Sequence, residues 1–151
     1  MHEIERKFLV ISRAWKRGRG TDFRQGYLCS TPERTVRVRI AGSKAFITVK
    51  GKTRGLTRSE FEYAIPLRDA RELLKLCEPP FIEKRRYVTK VGRHRWEIDE
   101  FRGVNAGLVV AEIELTSERE KFERPAWVGK EVSHDARYFN SNLAKRPFST
   151  W

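Results

Sequence analysis

The sequence predicts a mainly β protein of the α+β class: a closed eight-stranded antiparallel β-barrel with a few accessory helices. Three observations carry this expectation. Period-two alternation of apolar and charged residues recurs about eight times. Only two substantial segments have helical spacing. Two helices cover only part of a flat sheet that size, and accumulated twist and open edges favour closure. The 151 residues fit one domain, residues 1–151, since no repeat, low-complexity tract or linker offers a boundary.

The elements follow in order. Residues 3–10 alternate from the start and predict the first strand, and residues 23–29 give a weaker one. Residues 36–40 alternate arginine with valine or isoleucine, and residues 45–50 continue after a turn at Ala41, Gly42 and Ser43. Further strands are expected over 60–65, 81–88, 93–101 and 108–115. Between them, Leu67, Ala70, Leu73, Leu74 and Cys77 recur at helical spacing after Pro66, a residue suited to a first turn, and Pro79 and Pro80 stop that helix. A second helix is expected over 134–145 with Ser133 as its N-cap, and a short helical turn from Ser12 through Trp15 to Arg17.

No apolar run exceeds about four residues, far short of the roughly 18 needed to span a bilayer, and there is no signal-peptide apolar region, so no membrane role is expected. Cys29 and Cys77 form no disulfide framework and no zinc-ligand spacing, which points to a reducing cytoplasm. Lys and Arg number 32 against 20 Asp and Glu, a net charge of +12. That excess implies an anionic partner without specifying which.

Placing the charges on strands narrows the choice. Residues two apart share a face, so Glu3, Glu5 and Lys7 lie together, as do Arg37 and Arg39; Thr48 and Lys50; Glu60 and Glu62; Lys84 and Arg86; Arg93, Arg95, Glu97 and Asp99; and Glu112 and Glu114. The opposite faces are apolar, with Arg6 and Arg85 as exceptions. If the sheet closes with the apolar face outward against helices and loops, the charged face lines a lumen. Its carboxylates then need metal ions and its cations an anion. The acidic pairs and Asp99 offer hard oxygen ligands suited to Mg²⁺ or Mn²⁺. Lys7, Arg37, Arg39, Lys50, Lys84 and Arg86 offer donors for phosphate oxygens. Together they describe a site for a metal–polyphosphate complex. A nucleic-acid surface has no use for inward acidic pairs, so no nucleic-acid partner is expected.

These residues also resemble a known family. Glu3-Ile4-Glu5-Arg6-Lys7 matches the ExExK motif of the CYTH family, the triphosphate tunnel metalloenzymes. Arg37-Val38-Arg39, Thr48-Val49-Lys50-Gly51, Glu60-Phe61-Glu62, Lys84-Arg85-Arg86-Tyr87, Trp96-Glu97-Ile98-Asp99 and Glu112-Ile113-Glu114 follow in the family's order. The stretch from Glu131 through Asn140 to Ala144 resembles its C-terminal end. The resemblance implies an eight-stranded tunnel binding a triphosphate and divalent metal, and is strongest toward stand-alone bacterial inorganic triphosphatases. It implies Glu3, Glu5, Glu112, Glu114 and Asp99 as metal ligands, and Lys7, Arg37, Arg39, Lys50, Lys84 and Arg86 as phosphate binders.

The expected reaction is metal-dependent hydrolysis of the terminal phosphoanhydride of tripolyphosphate, a small-molecule substrate. A second metal held partly by Glu60 and Glu62 would activate water, unless those residues are ion-pair partners of nearby arginines. Lys50, among arginines, is the candidate base, with Tyr27 hydrogen-bonded to its amine. Tyr138 and Asn140 are expected to face inward from a helix plugging one end. Arg93 and Arg95 are assigned to the tunnel mouth or solvent, and His2, His94 and His134 stand isolated. Nucleoside or thiamine triphosphate hydrolysis, ATP cyclisation and non-catalytic binding of polyphosphate or RNA 5′ ends stay open as alternatives. A homodimer is compatible with the sequence.

Overall fold

A computed structural model describes residues 2–151. Nine strands run in chain order: β1 (His2–Val10), β2 (Thr21–Ser30), β3 (Thr35–Ala41), β4 (Lys44–Lys50), β5 (Thr57–Ile65), β6 (Ile82–Val91), β7 (His94–Phe101), β8 (Val109–Glu114) and β9 (Val128–Glu131). Helix α1 (Leu67–Lys75) follows β5, and α2 (Asn140–Lys145) lies near the C-terminus. No helix among the described residues is long and apolar enough to cross a membrane.

All pairings are antiparallel, in the order β5-β4-β3-β2-β6-β7-β8-β1, and a β5–β1 pairing closes the ring into an eight-stranded barrel. Short turns make this order possible. The β3–β4 hairpin turns on Gly42 and Ser43, and the β6–β7 hairpin on Gly92 and Arg93. Each opens on a glycine with φ near +60°, which suits a two-residue hairpin loop. The seam is short. β1 meets β5 only at His2, Glu3 and Ile4, opposite Ser59, Arg58 and Thr57. Farther along, β1 pairs with β9 at Phe8 and Val10 across an irregularity in register.

The apolar faces turn outward and are covered in three places. Phe8, Trp96, Ile98 and Ile113 pack under Trp15, Phe122 and Trp127. Helix α1 lays Ala70 and Leu74 on Val38 and Ala45. Leu143 of α2 is seated among Ile82, Phe101, Leu108 and Val110. Arg6 is accommodated on this outer side by Glu131 of β9, with Nε 2.8 Å from Oε1, and by the rings of Phe8 and Phe122. Arg85 donates to the carbonyl of Arg19.

Every expected strand is present, and the differences lie elsewhere. β9 was not anticipated, because four residues including Gly129 carry too little alternation to register. The C-terminal helix is shorter than expected and divided: Ala136–Tyr138 form a 3₁₀ turn and α2 starts only at Asn140. Ser133 is not an N-cap; its Oγ accepts from the Lys7 backbone N–H at 2.9 Å and donates to Glu131 at 2.7 Å, tying β9 to β1. Residues 12–17 form turns and no helix, with Trp15 anchored edge-on to Tyr87.

Gly26 shows how closely the segment after α1 approaches the barrel. A Cβ there would lie 2.8 Å from the Cys77 Cβ and 3.0 Å from the Phe81 ring. Gly26→Ala is expected to lower unfolding free energy by about 1–3 kcal/mol through overpacking. Urea denaturation measures it, and an unchanged midpoint would contradict this packing.

Candidate active site

Inward-facing side chains from the barrel strands enclose a cavity of about 740 Å³. β1 supplies Glu3, Glu5 and Lys7; β3 Arg37 and Arg39; β4 Lys50; β5 Glu60 and Glu62; β6 Lys84 and Arg86; β8 Glu112 and Glu114. Tyr27 of β2 also lines it, and Phe139, Asn140 and Ser141 contribute from the C-terminal segment. The alternation that separated charged from apolar residues therefore builds one charged chamber.

Within it, cations bridge carboxylates carried by different strands. The Lys7 ammonium contacts Glu5 and lies 2.5 Å from Glu112. Burial disfavours its charge, but Glu112 and Glu5 hold its pKa above the ordinary lysine range. Burial likewise opposes ionisation of Glu112, yet Lys7, Arg86 and Lys84 keep its carboxyl well below the usual range. Lys50 lies 2.8 Å from Glu3 and 2.9 Å from Glu60, and Arg58 reaches Glu3 at 3.2 Å. Glu62 accepts from Thr48 at 2.9 Å and lies 3.6 Å from Arg37 and 3.4 Å from Arg39.

Two features point to missing counter-charges. Burial and the neighbouring Arg37 push the Arg39 guanidinium down to about 10, and the buried Nε atoms of Arg37 and Arg39 have no hydrogen-bond partner. Buried donors without acceptors are costly, and these two stand ready for an anion's oxygens. On another wall, Glu114 sits directly across the β1–β8 ladder from Glu5. Burial and the nearby Glu3, Glu60 and Glu5 raise its pKa, and among the described residues it has no ion-pair partner. Like charges opposite one another destabilise a sheet pair, so a hard cation fits this wall. Among the described residues no three ligating side chains already converge on one point. Lys7 lies between Glu5 and Glu112, and Lys50 between Glu3 and Glu60, where they hold those carboxylates.

The comparisons with known proteins agree with this geometry. Residues 1–148 match the CYTH domain model. The chain belongs to the CYTH family. It is 48% identical over 151 residues to an inorganic triphosphatase of Acetivibrio thermocellus, covering 99% of this chain and 97% of that protein. It is 37% identical to an inorganic triphosphatase of Nitrosomonas europaea, covering 95% of this chain and 97% of the other. A crystal structure of an inorganic triphosphatase superposes with a TM-score of 0.67 at 35% identity, covering 94% of this chain and 93% of the other.

This CYTH barrel brings every expected site residue to the cavity except Asp99. That carboxylate is fully buried in the wall, with Lys84 2.5 Å from Oδ2 and Arg86 2.7 Å from Oδ1 and 2.8 Å from Oδ2. Burial opposes its charge, but Arg86 and Lys84 hold its pKa below the usual range. Its place is behind the cavity-lining cations Lys84 and Arg86, which it anchors. Tyr27 and Lys50 are not hydrogen-bonded; the Tyr27 hydroxyl accepts from Gln25 at 3.5 Å, and Lys50 faces carboxylates. Tyr138 packs edge-on against Trp151 outside the cavity, while Asn140 does line it.

Sequence reasoning overlooked Arg58, although it shares the two-residue spacing of Glu60 and Glu62. It also missed Phe23, whose ring lies 5.0 Å from the Arg39 guanidinium and 4.9 Å from that of Arg86. An aromatic residue gives no charge signal, yet such a ring supports buried cations. Arg93 and Arg95 do line the cavity, at its exposed margin, beside His94, whose Nε2 lies 2.8 Å from Glu120.

Removing Asp99 would leave the buried Lys84 without its carboxylate and Arg86 with only Glu97 and Glu112. Asp99→Asn is expected to destabilise the protein by about 3–5 kcal/mol at pH 7. Because the folded carboxyl has the lower pKa, its contribution is complete above the ordinary carboxylate range. It is lost as pH falls below about 4, where the unfolded chain takes up the proton first. Denaturant unfolding of both proteins across that range would refute the anchoring role if the two curves coincided at neutral pH.

Proposed function

We propose that this protein is a metal-dependent inorganic triphosphatase that hydrolyses the terminal phosphoanhydride of tripolyphosphate. One observation carries the reading: a single chamber inside the barrel holds the unpartnered Nε donors of Arg37 and Arg39 on one wall and the uncompensated Glu114 carboxylate on another. Charged side chains dominate that lining, beside Tyr27, Leu56, Leu115 and Phe139, which favours an all-phosphate substrate over a nucleotide or thiamine ester. The two relatives and the solved structure described above are inorganic triphosphatases, which supports the same choice.

Arg37, Arg39, Lys7, Lys50, Lys84 and Arg86 bind and orient the three phosphates from several strands, which fixes the reacting end for in-line attack. Glu3, Glu5, Glu112 and Glu114 would hold Mg²⁺ or Mn²⁺. The bound ion supplies neutralisation of the phosphate oxygens and acidification of a water. Arg37 and Arg39 meet the charge that develops on the phosphoryl group with donors already in place. Glu60 and Glu62 hold Lys50, Arg37 and Arg39 in position. Lys50 is the candidate proton acceptor, a role for which it must leave Glu3 and Glu60 and first release its own ammonium proton to solvent. A Lys50→Ala variant that raises KM and spares kcat would make it a phosphate clamp instead. Cys29 and Cys77 are both unpaired, which supports a reducing compartment such as the cytoplasm.

Phosphate release from tripolyphosphate, ATP, thiamine triphosphate and pyrophosphate, with Mg²⁺, Mn²⁺ or EDTA, tests this directly. Tripolyphosphate is expected to be the best substrate and EDTA to abolish turnover. Cyclic AMP from ATP would favour a cyclase, and no metal-dependent release would favour a binding module. Glu114→Gln is expected to lower kcat by roughly a hundredfold or more. The same change should leave thermal stability intact or raised, because it relieves repulsion with Glu3, Glu5 and Glu60.

Binding should also be coupled. A metal alone must displace Lys7 and Lys50 from carboxylates, and tripolyphosphate alone must draw them away and leave those carboxylates bare. Together each ligand takes what the other releases. The melting-temperature increase with Ca²⁺ and tripolyphosphate together is expected to exceed the sum of the separate increases; simple additivity would show that the lysines do not change partners.

A further inference from the structure

The C-terminal segment contributes one side chain whose contacts the reaction described above leaves unexplained. Asn140, the first residue of α2, lines the cavity, and its Oδ1 accepts from the Lys84 ammonium at 3.2 Å and from Gln25 Nε2 at 3.4 Å. Lys84 is almost wholly buried, and its Nζ also lies 2.5 Å from Asp99. The rings of Phe23 and Phe101 flank the same ammonium at 5.8 and 5.6 Å. An ammonium has three N–H donors. Two are taken by Asp99 and Asn140, and aromatic faces limit the remaining directions, so the third is left for the cavity that Lys84 lines.

We propose that Asn140 is a positioning residue for the reaction: its side-chain carbonyl fixes the Lys84 ammonium so that one N–H is presented to a phosphate in the chamber. The inference rests on the triphosphatase reading given above. Asn140 can serve this way because its own position is fixed. Leu143, one turn on, is fully buried in the outer cluster, Lys145 donates to the Ser30 carbonyl at 2.7 Å, and Asn105 joins the Leu143 and Phe148 backbones. Gln25 is fully buried beneath it and holds the same carbonyl from the other side. Without Asn140, Lys84 keeps only its carboxylate partner and is free to turn wholly toward it.

The neutrality of the residue matters as well. An aspartate would offer Lys84 an acceptor of the same shape, but it would add a negative charge to the cavity wall where a polyanion must bind. An amide supplies the acceptor without that repulsion. The C-terminal segment is on this view part of the phosphate-binding wall, reaching it from 56 residues beyond Lys84.

A double-mutant cycle tests the proposal. The dissociation constant for tripolyphosphate is measured by calorimetry in the presence of Ca²⁺ for the full chain and for Asn140→Ala, Lys84→Met and the double variant, with kcat and KM from phosphate release and folding checked by denaturation. Asn140→Ala is expected to weaken tripolyphosphate binding by roughly tenfold to a hundredfold, the range for one hydrogen bond to a charged group. In the Lys84→Met background the same substitution should change affinity by less than about twofold, since the group it positions is gone. Asn140→Asp, which preserves size and acceptor, is the second arm and should weaken binding at least as much as alanine. Unchanged affinity in Asn140→Ala or Asn140→Asp, or an equal loss in both Lys84 backgrounds, overturns the positioning role. Failure of the unaltered protein to bind or hydrolyse tripolyphosphate overturns the underlying function, a result read in a separate arm.

Discussion

A barrel that turns its charged face inward has to neutralise that face before it can be stable, and here cations bridging carboxylates across neighbouring strands do so. Lys7 joins β1 to β8 through Glu112, Lys50 joins β4 to β1 and β5 through Glu3 and Glu60, and Arg86 joins β6 to β7 through Asp99. Buried ion pairs of this kind rarely out-stabilise a well-packed apolar core, because desolvation offsets much of the attraction. The stability of this fold therefore rests on the outer shell, where Trp96, Phe8, Ile98 and Leu143 are fully buried. The inner shell is kept for chemistry, and its internal pairing makes an unliganded chamber tolerable.

That division explains the unequal compensation. Asp99 is saturated by two cations and lies behind the surface it supports, whereas Glu114 faces other carboxylates and the Nε atoms of Arg37 and Arg39 face no acceptor. Some cavity-lining groups are left partly unsatisfied, while Asp99, one layer back, is fully paired. In the proposed reaction a metal and a polyphosphate would supply the two missing charges together, which is why neither is expected to bind well alone.

Much of this was legible in the sequence because a strand's two-residue period maps directly onto two faces. The eight barrel strands, the outward turn of the apolar face and the identity of the lining charges all follow from that arithmetic. What it could not show was depth within the wall. Glu97 and Asp99 share a face, yet Asp99 is sealed behind Lys84 and Arg86 while Glu97 reaches the cavity. Nor could it show partner choice: Lys50 was expected among arginines and lies between two carboxylates. Phe23 and Gln25 escaped notice because neutral inward residues leave no mark in a charge pattern. β9 and the divided C-terminal helix were too short for their periodicity to stand out.

The short seam between β1 and β5 has a consequence for how this protein can fail. Three residue pairs close the ring, and the middle one places Glu3 opposite Arg58, inside the chamber. The last link of the barrel is thus also a piece of the chamber's lining. Unzipping at this point would separate Glu3 from Lys50 and Glu60 before the three outer clusters had loosened. Loss of chemical competence and global unfolding are therefore separable events, with the first the smaller excursion. A ligand that grips both edges of the seam acts as its clasp.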